Sequence, residues 1–171
     1  MENASVSGIA FQKDQIKFTL HGVGDVPGTA FRILGPISDA EVEVDVIVQN
    51  VSVDGKTDFT FTVSSEDEDT VKKVLENVKN DISFKELIVD SNIAKVSLVG
   101  VGMRSHAGVA SKMFEVLADE GINIQMISTS EIKISVVIHE KYLELAVRAL
   151  HSAFDLEGCL LYTSPSPRDR G

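Results

Sequence analysis

The stretch 95–131, KVSLVGVGMRSHAGVASKMFEVLADEGINIQMISTSE, decides the fold. Val96 and Leu98 alternate with polar residues, the two-residue period of a half-buried strand, and run into Gly100-Val101-Gly102. Ser105-His106-Ala107-Gly108 then opens a segment whose apolar positions Ala110, Met113, Phe114 and Leu117 share one helical stripe. Gly121 ends that helix where a positive φ costs little. Ile122, Ile124 and Met126 alternate with Asn123 and Gln125, which predicts a strand over 122–130.

The same plan occurs earlier, in IKFTLHGVGDVPGTAFRILGPISDAEVEVDVIVQN, residues 16–50. Gly28-Thr29-Ala30 recurs 80 positions later as Gly108-Val109-Ala110, and the same offset relates Asp39 to Asp119, Val44 to Ile124 and Ile47 to Ile127. The loop before the helix is two residues longer in the second copy. The chain carries an internal duplication.

Working outward, residues 6–11 (VSGIAF) read as one strand, and Ile16, Phe18 and Leu20 as the next. Ala30, Ile33, Leu34 and Ile37 form the first helical stripe, and Gly35-Pro36 predicts a kink or a short helix, because proline removes a backbone donor. Alternation in 42–48 and in Phe59, Phe61 and Val63, with Asp54-Gly55 between them, predicts a hairpin. Ser65 and Glu68 have capping-box spacing ahead of a stripe at Val71, Val74, Leu75 and Val78, and Leu87 and Val89 close the first half as a strand. The order is βαββαβ, the split βαβ plan of ferredoxin-like folds. The second half repeats it as strand 95–99, helix 107–120, strands 122–130 and 132–138, and helix 140–154, but lacks a fourth strand. Residues 6–11 are the obvious filler, which would insert the first domain in the second. An α+β fold of two domains is therefore expected, one over 16–90 and the other over 5–12 plus 95–157. Residues 158–171 show no helical or strand period and are read as a disordered or foreign tail.

The blocks GVGDVPGTA (22–30), DVIVQN (45–50), TDFTFTV (57–63), KVSLVGVG (95–102) and ISTSEI (127–132), in this order, resemble the paired ACT domains that regulate bacterial aspartate kinase. The resemblance covers roughly residues 6–154 and implies the same inserted arrangement. It implies an effector site from Asp25, Gly28, Thr29, Ala30 and Gln49 of the first domain with Asn123 and Ile124 of the second, at a homodimer interface between ACT domains. A second, related site would use Met103, Ser105, His106, Gly108 and Val109, with Ser128, Thr129, Ser130 and Glu131 close by. L-threonine, L-lysine or both would be the ligands, Glu131 serving as counter-charge to a lysine. The partner would be an aspartate kinase catalytic domain or subunit, which this chain lacks. A stand-alone amino-acid sensor acting on another enzyme is the alternative.

The residue chemistry stands beside that resemblance. Small residues before a helix N-terminus expose backbone N–H groups that can hold a carboxylate, or simply make a tight strand-to-helix turn. Asp25 is either an acceptor for a ligand ammonium or a solvated turn residue, and Gln49, Asn50, Asn123 and Gln125 supply donors and acceptors. A zwitterion needs that mixture. Glu43 stands where the second copy has Asn123, so the two sites are expected to differ in ligand or occupancy.

Sixteen Lys and Arg against 26 Asp and Glu give a net charge of −10, which argues against a nucleic-acid surface. No apolar run reaches membrane-spanning length and no secretory leader is apparent, so a cytoplasmic setting is expected. The single Cys159 excludes an internal disulfide. The acidic run 66–69 lacks the spacing of a calcium loop, and His21, His106, His139 and His151 lack metal-ligand spacing. No metal or cofactor is expected, and no P-loop, catalytic triad or kinase glycine–lysine signature occurs.

Overall fold

The computed structural model describes residues 5–50, 54–103, 107–156 and 160–162. The chain divides into two compact units, one contiguous (Gln15–Ser91) and one assembled from Met1–Asp14 with Asn92–Gly171.

In the contiguous unit the elements are β1 (Ser5–Gly24, of which it takes the later part), α1 (Thr29–Asp39), β2 (Val44–Gln49), β3 (Lys56–Ser64), α2 (Glu68–Val78) and the start of β4 (Glu86–Val101). β3 lies between β1 and β2, antiparallel to both, with Phe18 opposite Phe61 and Gln49 opposite Phe59. Alternation puts Phe18, Leu20, Phe59, Phe61 and Val63 on one buried face, where they meet Ile33 and Ile37 of α1 and Val71 and Leu75 of α2. The Phe18 and Phe61 rings stack with centroids 5.5 Å apart. Lys85 N–H donates to the His21 carbonyl at 2.7 Å just ahead of β4.

The other unit uses the later part of β4, then α3 (Ala107–Asp119), β5 (Met126–Thr129), β6 (Lys133–His139), α4 (Leu143–Ala153) and β7 (Leu160–Tyr162). β6 pairs antiparallel with β4 (Val96 opposite Val136) and with β5 (Ile127 opposite Val136). Its core is aliphatic: Leu98, Ile134, Val136, Met113, Leu117 and Leu150 are buried together, and Ile9 of β1 belongs to the same cluster. The duplication extends to polar detail. Thr19 and Thr60 face each other across β1 and β3 with hydroxyls 3.2 Å apart, and Ser97 and Ser135 do so across β4 and β6 at 2.6 Å.

Several elements depart from the sequence reading. The two strands expected over 6–20 are one, β1, whose polar Lys13-Asp14-Gln15 looked like a break; Asp14 takes φ 58, a conformation Asp tolerates. Helix α1 runs eleven residues with Pro36 in its last turn, where the one backbone bond lost to the proline is that to the Arg32 carbonyl. The strand expected from 122 begins only at Met126, since Ile122 N–H is taken by the Leu117 carbonyl as α3 terminates. Before α2 it is Ser64, not Ser65, that caps: its hydroxyl accepts from Glu66 N–H at the start of a 3₁₀ turn, Ser65–Asp67. His139 does the same in the second half, its Nδ1 accepting from Lys141 N–H. Leu160–Tyr162, expected to have no regular structure, pairs in parallel with Ile9–Phe11; three residues are too few to display a period. The rest of 158–171 lies outside the described residues. In the acidic run Glu68 pairs with Lys72 at 2.7 Å, and that hydrogen bond is the main reason the Lys72 pKa is raised.

Phe61 is fully buried between Phe18 and Phe59, so Phe61→Ala is expected to cost about 3–5 kcal/mol in urea unfolding. Ile132→Ala, at an exposed position, should stay within about 0.5 kcal/mol of the parent.

Candidate functional site

In the contiguous unit β1 ends at Gly24 and α1 begins at Thr29, leaving a four-residue turn, 25–28. Gly28 occupies the N-cap position at φ 91, so no side chain caps the helix from there. The turn is closed from inside instead. The Thr29 hydroxyl lies 2.8 Å from the Val26 carbonyl and 3.1 Å from that of Gly24, and Thr29 N–H donates to Val26 at 3.2 Å. The first bond of the helix runs from Arg32 N–H to the Gly28 carbonyl at 3.0 Å. The amides of Ala30 and Phe31 therefore sit in the first turn, where the helix supplies no carbonyl for them and its dipole favours an anion.

The turn is fastened to the neighbouring hairpin: Asp25 N–H donates to the Gly55 carbonyl at 2.9 Å. Asp54 and Gly55 both have positive φ, 56 and 73, as the Asp-Gly signal predicts. Asn50 N–H donates to the Asp58 carbonyl at 3.2 Å, and the Thr57 hydroxyl donates to the Asn50 carbonyl. These bonds gather Asp25, Gly28, Gln49 and Asn50, all exposed, at one end of the sheet. A carboxylate, side-chain amides and first-turn N–H groups thus share one edge. Thr29 is buried with its hydroxyl turned into the loop, so it shapes the turn, and Ala30 is half-buried beside it.

The second unit builds the corresponding corner with different parts. Gly102 has φ 70, Gly100 N–H donates to the Ile132 carbonyl at 2.8 Å, and Met103 N–H donates to that of Glu131 at 2.9 Å. The Met103 side chain is buried in the core, which leaves its backbone at the loop. Gly108 and Val109 lie in the first turn of α3; Ser105 and His106 lie outside the described residues. Ser128, Thr129 and Glu131 are exposed, while Ser130 closes a tight turn with Lys133, its N–H donating at 2.8 Å and its hydroxyl accepting at 3.2 Å. Asn123 is exposed and Ile124 half-buried, both in the connection between α3 and β5.

One participant escaped sequence reasoning. His21 Nδ1 lies 2.7 Å from Asp58 Oδ1, which also accepts from Gly22 N–H at 3.1 Å. The pair sits at the irregularity between Leu20 and Val23 in the β1–β3 register, immediately before the glycine turn. No local signal marks it, because the irregularity decides which residues face each other. Among the described residues no group of three or more His, Cys, Asp or Glu gathers as a metal site would require.

Comparison with known proteins assigns the class first. Residues 20–82 and residues 96–154 each match the ACT domain, so the α+β fold is that of two ACT domains. A crystal structure of aspartokinase alpha and beta subunits contains a chain 53% identical, with TM-score 0.83, covering 89% of this chain and 100% of that one. The ligand-free regulatory subunit of aspartate kinase from Thermus thermophilus is 40% identical, with TM-score 0.84 and coverage of 87% and 98%. The chain belongs to the family of ACT-domain regulatory regions of aspartate kinase. An aspartate kinase of Pseudomonas fluorescens (strain SBW25) is 65% identical over 157 residues, 92% of this chain but 38% of that protein. The chain thus spans well under half the length of such relatives.

The two glycine turns make opposite predictions. Gly28→Ala, with open space for its Cβ but φ 91, should destabilise by about 1–2 kcal/mol. Gly108→Ala, also in open space and inside a helix, should be neutral or stabilise by about 0.5–1 kcal/mol in the same unfolding assay.

Proposed function

We propose that this chain is an allosteric module that binds L-threonine, L-lysine or both and transmits feedback inhibition to an aspartate kinase catalytic domain or subunit. The observation that carries the reading is the corner of the contiguous unit. There Asp25, Gln49 and Asn50 lie at the end of the sheet where α1 begins, and the turn into α1 is held from within by Thr29 and from outside by Gly55. In this reading the amides take the α-carboxylate of the effector and Asp25 takes its ammonium. Asn123 and Ile124 complete the site from the other ACT domain, across a homodimer interface. The second site uses Met103, Ser105, His106, Gly108, Val109 and the 128–131 segment, with Glu131 facing a cationic side chain. The ACT domain over 16–90 is inserted in the one formed by 5–12 and 95–157, and the module works in the cytoplasm.

The mechanism is linkage. Effector bound across domains favours one arrangement of the pair, and the catalytic equilibrium moves by the difference in affinity between arrangements. The solved complex of aspartokinase alpha and beta subunits supports the choice of partner. No helix among the described residues is long and apolar enough to cross a membrane.

Calorimetric titration of the chain with L-threonine, L-lysine and L-aspartate is the test. Saturable binding of threonine or lysine is expected, weakened about tenfold or more by Gln49→Ala or Asn123→Ala, as for loss of a hydrogen bond to a charged group. The chain alone should turn over no ATP with aspartate. Absence of binding both alone and with an aspartate kinase catalytic subunit present would overturn the proposal.

A further inference from the structure

A groove of about 780 Å³ opens between α4, the His139 end of β6 and β1 at Phe11 and Lys13. It lies wholly within the unit that carries α3 and α4. It is also far from that unit's glycine turn. His139 pairs with Ile93 at one end of the β4–β6 ladder, whereas Lys133, beside the 128–131 segment, pairs with Val99 at the other, about 20 Å away at the strand rise.

The lining combines two chemistries. Phe11, Leu143 and Val147 supply an apolar wall, while Lys13, Lys141 and Arg148 line the same groove in a chain whose net charge is −10; the Lys141 ammonium also lies 5.0 Å from the centre of the Tyr142 ring. Two carboxylates, Glu140 and Glu144, share the rim. The Glu144–Arg148 contact is long, 3.9 Å, and highly exposed, so it leaves the guanidinium fork largely available. His139 Nδ1 already accepts from Lys141 N–H at 3.1 Å, which leaves Nε2–H of the neutral ring as a donor.

The duplication supplies an internal control. At a constant offset of 75, Ser64, Glu66, Lys73 and Glu76 of the first half correspond to His139, Lys141, Arg148 and His151 of the second. One carboxylate has become an ammonium, another an imidazole, and a lysine has become the arginine that binds oxyanions through two parallel bonds. The same offset pairs Ser65 with Glu140 and Lys72 with Val147, so the shift toward positive charge along the groove is a net one, carried by Lys141, Leu143 and His151 in place of Glu66, Glu68 and Glu76.

We propose that this groove is a binding site for a small organic phosphate. The apolar wall takes the organic body, and Lys13, Lys141 and Arg148 take the phosphoryl group by charge-assisted hydrogen bonds. The volume is that of an ordinary small-molecule site. This site is independent of the amino-acid sites at the glycine turns.

The experiment is amide NMR titration of the full chain with 1-naphthyl phosphate, 1-naphthol and inorganic phosphate. Naphthyl phosphate is expected to saturate, shifting the amides of His139, Lys141, Val147 and Arg148 ahead of all others, and to bind at least about tenfold tighter than naphthol. Lys141→Glu, which restores the charge found at Glu66, and Arg148→Ala should each weaken naphthyl phosphate by about tenfold and leave naphthol unchanged. Both positions are exposed, so both variants should keep the parental amide spectrum elsewhere. Equal affinity for naphthol and its phosphate, shifts centred outside α4 and β6, or indifference to both substitutions would overturn the proposal.

Discussion

In each half a strand must turn directly into a helix, and one backbone hydrogen bond fixes how it does so. The residue after the last glycine gives its N–H to the turn of the hairpin: Asp25 to Gly55 in one unit, Met103 to Glu131 in the other. Everything at the candidate sites is referred to that bond. In the contiguous unit it holds the turn that leads into α1 four residues later, and so sets where the first-turn amides lie. It also sets which hairpin side chains stand beside them. Glycine at positive φ makes the approach possible, and in the contiguous unit the Thr29 hydroxyl and the His21–Asp58 pair brace it from two further directions.

Duplication kept this scaffold and let the chemistry drift. The cross-strand hydroxyl pairs persist as half-buried Thr19–Thr60 and buried Ser97–Ser135; in the buried pair each hydroxyl needs the other as its partner. The helix entry persists as well, with Ser64 and His139 as alternative acceptors for the same kind of amide. Charge was not conserved in the same way. Exposed positions are free of packing constraints, and there the second half has Lys141 where the first has Glu66; at half-buried His151 it has an imidazole where the first has exposed Glu76. A duplicated fold can thus hold two copies of one geometry and offer different ligand chemistry in each.

The periodic elements were legible because their causes are local. The stripes of α1 to α3, the Phe59–Phe61–Val63 alternation and the Asp54-Gly55 turn each encode burial or φ within a few residues. What stayed hidden depended on partners distant in sequence. The continuity of β1 through Asp14, the His21–Asp58 pair and the inward turn of the Thr29 hydroxyl all require strand register or loop closure. The capping residue was displaced by one because a 3₁₀ turn precedes α2, and a capping-box spacing does not distinguish the two kinds of first turn. The glycine turns announced themselves as candidate sites; the groove beneath α4 did not, since it joins residues 11 and 13 to residues 139–151.

The account makes the loop-to-hairpin bond the element that an effector holds in place. Native-state hydrogen exchange at the Asp25 and Met103 amides, with and without saturating L-threonine or L-lysine, tests this directly. The account predicts that the effective ligand slows exchange at Asp25, Met103 or both, together with the core amides of Phe61 and Val136, whose global opening also releases the ligand. Slowing at Phe61 and Val136 with neither Asp25 nor Met103 affected, or slowing confined to positions remote from both glycine turns, would contradict it.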